Sequence, residues 1–531
     1  MLTRTASRCC SKLRSSACGP CFRFSKPQCR RFSMPASGAA HSSPPASSAA
    51  MLAPFVGELD NIAPSFKING SQIRVLQTPS EFYETLKEKI RKAERHIFLS
   101  TLYIGKSEKE LIATLRQALR DKPQLRLSIL TDALRGTREA PEPSCASLLA
   151  PLIAEFGADR VEIRLYHTPN LTGLRKKYIP KRINEGWGLQ HMKLYGFDDE
   201  IILSGANLSN DYFTNRQDRY HLFSSKDVTE YFSNLHGAIS SLSFLVEPSE
   251  SPAGFEMTWP ETNSAPSPLA NPKQFVTEAS GLLAGLISAK TTALTANDQT
   301  PADKKDTSVY VLSQFSQLLS PDTSTELPAV THILHTLASP RYAKSSWTFT
   351  AGYFNPAPSL SQLLINTASE KGTVITASPD ANGFYKSPGV SGLLPGAYTL
   401  LARRFLHSVH QHKRDSAITL REWKRGAVDD PDRWTYHAKG LWVALPHSQN
   451  PSITLVGSSN YTKRSYSLDL EANALIVTEN EELKMRLGDE QRWLQEHSVN
   501  MTRDDFAKTE RRVGLRVRLA MLMVKLLGGA L

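Results

Sequence analysis

One arrangement occurs twice in this chain: a His-x-Lys, an apolar run, a Ser/Gly turn ending in Asn, and then a carboxylate. The first copy is His191-Met192-Lys193, Leu194-Tyr195, Ser204-Gly205-Ala206-Asn207 and Asp218. The second is His437-Ala438-Lys439, Leu441-Trp442-Val443, Gly457-Ser458-Ser459-Asn460 and Glu471. Each carboxylate stands eleven residues after its Asn and opens a strand-like run, Tyr220 to Phe223 in one copy and Ala474 to Val477 in the other. Upstream, the apolar run His96 to Tyr103 finds a partner in Trp347 to Tyr353. A divergent internal repeat accounts for these offsets, and it requires two halves built alike. On a strand, residues i and i+2 share a face, so each copy presents an imidazole and an ammonium side by side.

The segments between these motifs alternate in period. Phe82 to Arg95 mixes apolar and charged residues at helical spacing, Leu125 to Leu130 reads as a strand, and Ser147 to Phe156 as a helix. Interleaved strands and helices predict an α/β domain, twice. Residues 56–247 hold the first and 306–500 the second. Between them, 248–305 reads as a linker with a helix (Phe275 to Leu294), because Glu247 to Pro272 is rich in Pro and Ser.

Both ends are basic. Residues 1–32 carry eight Lys/Arg, five of the six cysteines and no acid, the composition of a mitochondrial transit peptide with a cleavage-like Arg30-Arg31-Phe32-Ser33. Residues 33–55 read as a flexible Ser/Ala/Pro linker. Without the leader, the net charge of +12 falls to about +4, too little for a dedicated nucleic-acid binder and compatible with an anionic lipid surface. Only Cys145 remains in the body, which rules out an internal disulfide or a Cys-based zinc site there. No apolar run is long enough to span a bilayer. Residues 501–531 form a basic tail, with five cations and no acid after Glu510 beside Leu519, Leu522, Met523 and Leu526. That pattern predicts an interfacial amphipathic helix.

Two histidines, two lysines and two side-chain amides suit nucleophilic displacement at an anionic phosphorus. The lysines supply the positive charge, and no clustered His/Asp/Glu pattern points to a metal. No cofactor is expected. The shared eleven-residue offset suggests that Glu471, and not a residue at position 444, supports the second histidine. Cations for an acceptor phosphate are sought in Arg135 and Arg138, beyond the strand ending Leu130-Thr131-Asp132, in Arg216 and Arg219, or in Lys176-Lys177. Tyr103 and Tyr353 are candidates to line the cleft.

The motifs resemble the phospholipase D superfamily, whose signature is H-x-K-x-x-x-x-D followed by a G-S-x-N-like turn. The first copy fits through Asp198; the second has Ala444 where the Asp should stand. Within the superfamily, Asn215 to Tyr220, Ala351 to Asn355, Ser378 to Phe384 and Tyr436 to Trp442 look like the mitochondrial phosphatidylglycerophosphate synthases. The resemblance covers roughly residues 56 to 500 and implies two phospholipase D-like α/β/α domains forming a pseudo-twofold, with the active site between them. It also implies transfer of a phosphatidyl group from CDP-diacylglycerol to glycerol 3-phosphate through a phosphohistidine, with no nucleic acid involved. By the same resemblance His191 is the nucleophile and His437 the acid/base, although the two could be exchanged. Lys193, Lys439, Asn207 and Asn460 would hold phosphoryl oxygens, Asp218 and Glu471 would each fix a histidine tautomer, and Asp198 would brace its own loop. The place implied is the matrix face of the inner mitochondrial membrane, held peripherally by its anionic surface. The alternatives are a hydrolase or nuclease of the same fold, or a transferase using another alcohol such as serine.

Overall fold

The computed structural model describes residues 47–181, 183–291, 305–427, 430 and 433–526. The expected transit peptide, and the expected linker up to residue 46, lie outside the described residues.

Two nine-stranded mixed sheets carry the fold. The first runs Phe255–Thr258, Phe244–Pro248, Val161–Tyr166, Arg126–Asp132, His96–Ser100, Leu194–Phe197, Glu200–Ser204, Tyr220–Ser224, Ile73–Leu76. The second runs Ser65–Ile68, Thr307–Gln314, Glu471–Thr478, Ile453–Gly457, Lys439–Ala444, Ser346–Ala351, Lys371–Ala377, Ile418–Trp423, Ser498–Met501. Read from Ile73–Leu76 in one and Thr307–Gln314 in the other, eight strands follow in the same order, with the motif strands Leu194–Phe197 and Lys439–Ala444 in matching places.

Strand residues alternate between two cores, as the pleat requires. Val309 and Val311 enter a cluster shared by both sheets, whereas Tyr310 and Leu312 face the outer helices of the second. Leu194 likewise joins the shared cluster, while Tyr195 and Phe197 pack under the outer helices of the first. Burial on both faces explains why these strands read as continuous apolar runs. The helices follow local rules. In Pro79–Lys92, Thr78 Oγ1 accepts from the Glu81 backbone N–H at 3.1 Å, Pro79 opens the first turn and Lys89, Arg91 and Lys92 close the last. Lys109–Asp121 buries Leu111, Ile112, Leu115 and Leu119, one stripe at helical spacing.

The expected boundaries shift in three places. The linker expected up to residue 55 instead ends in a helix, Ser48–Ile62, whose Met51, Leu52, Phe55 and Leu59 form a buried stripe. Phe55 meets the Tyr342 ring edge-on at 5.1 Å, and Tyr342 donates to the Met51 carbonyl at 2.9 Å. Strand Ser65–Ile68 then pairs with Thr307–Gln314, so residues up to Ile68 complete the second sheet, not the first. At the other boundary, Phe255–Thr258 pairs with Phe244–Pro248 as a hairpin that extends the first sheet into the expected linker. The helix expected over Phe275 to Leu294 starts earlier and stops short, as Pro272–Leu286.

Candidate active site

The two motifs meet because the backbone bridges the two halves just before each histidine. Thr435–Tyr436 pairs in parallel with Arg216–Gln217, and the His437 N–H donates to the Gln217 carbonyl at 2.8 Å. In the mirror arrangement, Gln190 bridges to Leu470 and the His191 N–H donates to the Leu470 carbonyl at 2.9 Å. Gln217 precedes Asp218 and Leu470 precedes Glu471. Each histidine is therefore set beside the carboxylate of the other half.

The side chains follow. His437 Nδ1 faces Asp218 Oδ2 at 2.7 Å, and His191 Nδ1 lies 3.0 Å from both Glu471 oxygens. This corrects the expectation that Glu471 serves the second histidine: the pairs are crossed. A shared offset along the chain describes each half alone, and the partner is chosen across the interface. Donation from Nδ1–H to a carboxylate leaves the Nε2 lone pair for chemistry. Both imidazoles are nearly enclosed, at 8 % exposure for His191 and 4 % for His437.

Lys439 Nζ lies 3.3 Å from Asp218 Oδ2, 3.3 Å from the Gly205 carbonyl and 2.8 Å from His437 Nδ1. A Cβ at position 205 would push against both Lys439 Nζ and the Asp218 carboxylate, so glycine there leaves room for that pair. Lys193 Nζ donates to the His191 carbonyl at 2.6 Å. Ser458 Oγ donates to Glu471 Oε2 at 2.5 Å. Asn207 Nδ2 reaches Tyr212 Oη at 3.4 Å, and the Oδ1 atoms of Asn207 and Asn460 are buried without a hydrogen-bond partner.

Burial dominates the electrostatics. It pushes His437 down to about 3, helped by the Lys439 ammonium, and holds His191 well below the usual histidine range. Burial lowers Lys193 to about 7 and raises Glu471 to about 7, with Lys193 opposing the latter. Burial alone would raise Asp218, but Lys439 and His437 hold it below the ordinary carboxylate value. The site thus offers two neutral imidazoles, one firmly ionised carboxylate and one poised to titrate. Among the described residues no group of three His, Cys, Asp or Glu is arranged to hold a metal ion.

The other candidates divide. Tyr353 meets the His437 ring edge-on at 5.0 Å and stacks on Tyr398, so it belongs to the site. Arg216 lies over the Tyr212 ring at 4.8 Å, pairs with Asp211 at 3.0 Å and donates to Thr435 Oγ1, close enough to lower His437 further. Arg135 stacks on the Tyr103 ring at 4.2 Å, and Arg138 is forked onto Glu185. Lys176 and Lys177 stand exposed on the short helix Gly173–Tyr178.

Arg219 is not a substrate ligand. It is buried against the Trp442 ring at 3.7 Å, with its guanidinium on Glu490, Thr454 and the Leu455 carbonyl, where it ties the first half to helix Glu481–Glu496. Asp198 also works away from the imidazoles. Held at φ +51°, its carboxylate accepts the backbone N–H groups of Glu94, Arg95 and His96, bracing its own turn.

Sequence reasoning missed Tyr212, whose hydroxyl lies 3.3 Å from His437 Nε2, and the Arg464–Asp469 pair at 2.9 Å. The second had a signal. Arg464 and Asp469 follow Asn460 by the offsets at which Asp211 and Arg216 follow Asn207, so one ion pair recurs with its charges exchanged.

No family model matches the chain. Curated relatives do. It is 46 % identical over 489 residues to the CDP-diacylglycerol–glycerol-3-phosphate 3-phosphatidyltransferase of Saccharomyces cerevisiae, covering 89 % of this chain and 93 % of the yeast protein. The Schizosaccharomyces pombe protein of that name is 42 % identical, with 84 % and 92 % covered. The human mitochondrial form is 34 % identical, with 88 % and 84 % covered. In structure, a phosphatidylserine synthase from Haemophilus influenzae superposes with a TM-score of 0.65 at 19 % identity, over 89 % of this chain and 97 % of that one, a likeness of fold. At these identities over nearly the whole length, the chain belongs to the CDP-diacylglycerol–glycerol-3-phosphate 3-phosphatidyltransferase family.

Proposed function

We propose that the chain transfers the phosphatidyl group of CDP-diacylglycerol to glycerol 3-phosphate, releasing CMP, through a phosphohistidine. The observation that carries this reading is the pair of enclosed histidines, each held through Nδ1 by a carboxylate of the opposite half. His191 Nε2 attacks the phosphorus bearing diacylglycerol, and the P–O bond to CMP breaks. His437, protonated once the diphosphate brings its negative charge into the site, donates its proton to the departing CMP oxygen. It then takes the proton of the glycerol 3-phosphate hydroxyl as that oxygen attacks phosphorus and the N–P bond breaks. Asp218 and Glu471 stabilise the charged imidazoles as they form. Lys193, Lys439 and the amides of Asn207 and Asn460, turned N–H inward, hold the phosphoryl oxygens. Because the acceptor enters from the side that CMP leaves, Arg216 beside His437 is the cation placed for its phosphate, while Tyr353 walls that side.

The vertebrate relatives are named mitochondrial, and the basic, acid-free leader of this chain supports import and a place on the matrix face of the inner membrane. No helix among the described residues is long and apolar enough to cross a membrane. The expected C-terminal helix is present as Leu515–Leu526, with Leu515, Leu519, Leu522 and Met523 exposed. Its other edge packs against helix Leu394–Gln411, where Val517 approaches Gly396. We read the exposed edge as membrane-facing; Arg511, paired with Glu422 at 2.9 Å, adds little to it.

The test is incubation of the purified protein with CDP-diacylglycerol and, separately, glycerol 3-phosphate, serine or water, with products identified by mass. Phosphatidylglycerophosphate and CMP are expected from the first alone. A short quench without acceptor should leave a phosphatidyl adduct on one histidine. Efficient transfer to serine or water would overturn the assignment.

A further inference from the structure

The segment between the first α/β strands and His191 has a feature the reaction does not use. Helix Gly173–Tyr178 has no buried residue, yet it carries two large apolar side chains, Leu174 at 73 % exposure and Tyr178 at 70 %. They stand four apart, on one face of the turn. Ile183, at 56 %, follows. Arg175, Lys176, Lys177 and Lys181 are interspersed among them, all exposed, and no carboxylate occurs from Gly173 to Ile183.

A six-residue helix is not stable on its own in water, and here its two ends are fastened. On the near side Leu171 is buried, and Thr168 Oγ1 lies 2.6 Å from Gln317 Oε1. On the far side Arg138 grips the Glu185 carboxylate, Arg464 donates to the Glu185 carbonyl at 2.9 Å, and the Leu189 N–H donates to Asp469 Oδ1 at 3.0 Å. Arg464 and Asp469 are the ion pair whose charges act on His191. The projecting turn is therefore anchored to the surroundings of the reactive histidine, which lies eight residues beyond Ile183.

We infer that Gly173–Tyr178, together with Lys181 and Ile183, docks on an anionic bilayer, bringing the His191 side of the site to the membrane surface. The inference rests on the phosphatidyl-transfer reading, in which a two-chain lipid must reach a nearly enclosed site. Leu, Ile and Tyr among cations, with no acid, are complementary to acyl boundary and anionic headgroups together.

The experiment compares the full chain with two variants, Leu174→Ser/Tyr178→Ser and Arg175→Gln/Lys181→Gln. Binding is measured on phosphatidylcholine vesicles with and without phosphatidylglycerol. Activity is measured on vesicle-borne CDP-diacylglycerol and on a short-chain monomeric analogue. Two near-surface cations contribute roughly tenfold or more in partitioning, and burial of two large apolar side chains contributes at least as much, so each variant should lose at least that factor in binding anionic vesicles and fall in parallel on vesicle-borne substrate. Both should keep wild-type turnover on the monomeric analogue. Undiminished vesicle binding by both variants overturns the inference and moves docking elsewhere, the C-terminal helix included. An equal loss on the monomeric analogue also overturns it, because the segment would then serve the reaction directly. A wild-type protein that makes no phosphatidylglycerophosphate from the monomeric analogue would sink the underlying functional reading instead, whatever the vesicles show.

Discussion

Replacing Asp218 by Asn tests the crossed pairing most sharply. The carboxylate lies 2.7 Å from His437 Nδ1 and 3.3 Å from Lys439 Nζ, and it is 1 % exposed. Asn keeps the size and removes the charge. The lost charge-assisted hydrogen bond is worth about 1.5–3 kcal/mol. Lys439 also loses its neutralising partner and would draw on the substrate phosphate unproductively. Triads in which the orienting Asp becomes Asn lose about 10⁴ in turnover, roughly 5.5 kcal/mol; here a loss of about 10³–10⁴ in CMP release is expected. The position of the damage is the stronger signature. In spectra of the protein labelled with ¹⁵N-histidine, Asp218→Asn should move the ring resonances of His437 and leave those of His191 in place. Glu471→Gln should do the reverse. A loss under about tenfold in a folded variant, or resonances that respond within the same half, would refute the reasoning.

Arg219→Ala should cost about 3–5 kcal/mol of stability by stranding the buried Glu490, read by denaturant unfolding, with little change in the KM for glycerol 3-phosphate. Burial lowers Lys193 to about 7, so its ammonium is present below that pH and lost above it; kcat/KM, which reports the free enzyme, should fall as pH rises past about 7. Lys193→Arg should flatten that limb, and a wild-type profile level from about pH 6 to about pH 9 would remove Lys193 from the role. Ala444→Asp should bring no activity and cost about 1–3 kcal/mol in a melt, because residue 444 is buried in a strand opposite Ser346, where the neighbouring Ser345 N–H is already taken by the Tyr342 carbonyl.

What the sequence determined by itself is local or duplicated. Motifs at equal offsets revealed two halves built alike, and apolar spacing placed the helices Pro79–Lys92 and Cys145–Phe156 to within three residues. The duplicated motif and its equal offsets singled out both histidines, both lysines, both amides and both carboxylates as one set. The helix Ser48–Ile62 escaped because its amphipathic stripe adjoins a low-complexity leader, and strand Ser65–Ile68 because neighbours along the chain were assumed to share a sheet. Arg219 looked available because sequence does not reveal that Glu490 and Trp442, more than two hundred residues away, close around it. Only the tertiary structure decided which carboxylate serves which histidine. Periodicity along one chain describes a half at a time, whereas that choice is made by backbone bridges between the halves: the Gln217 carbonyl holds His437 beside Asp218, and the Leu470 carbonyl holds His191 beside Glu471.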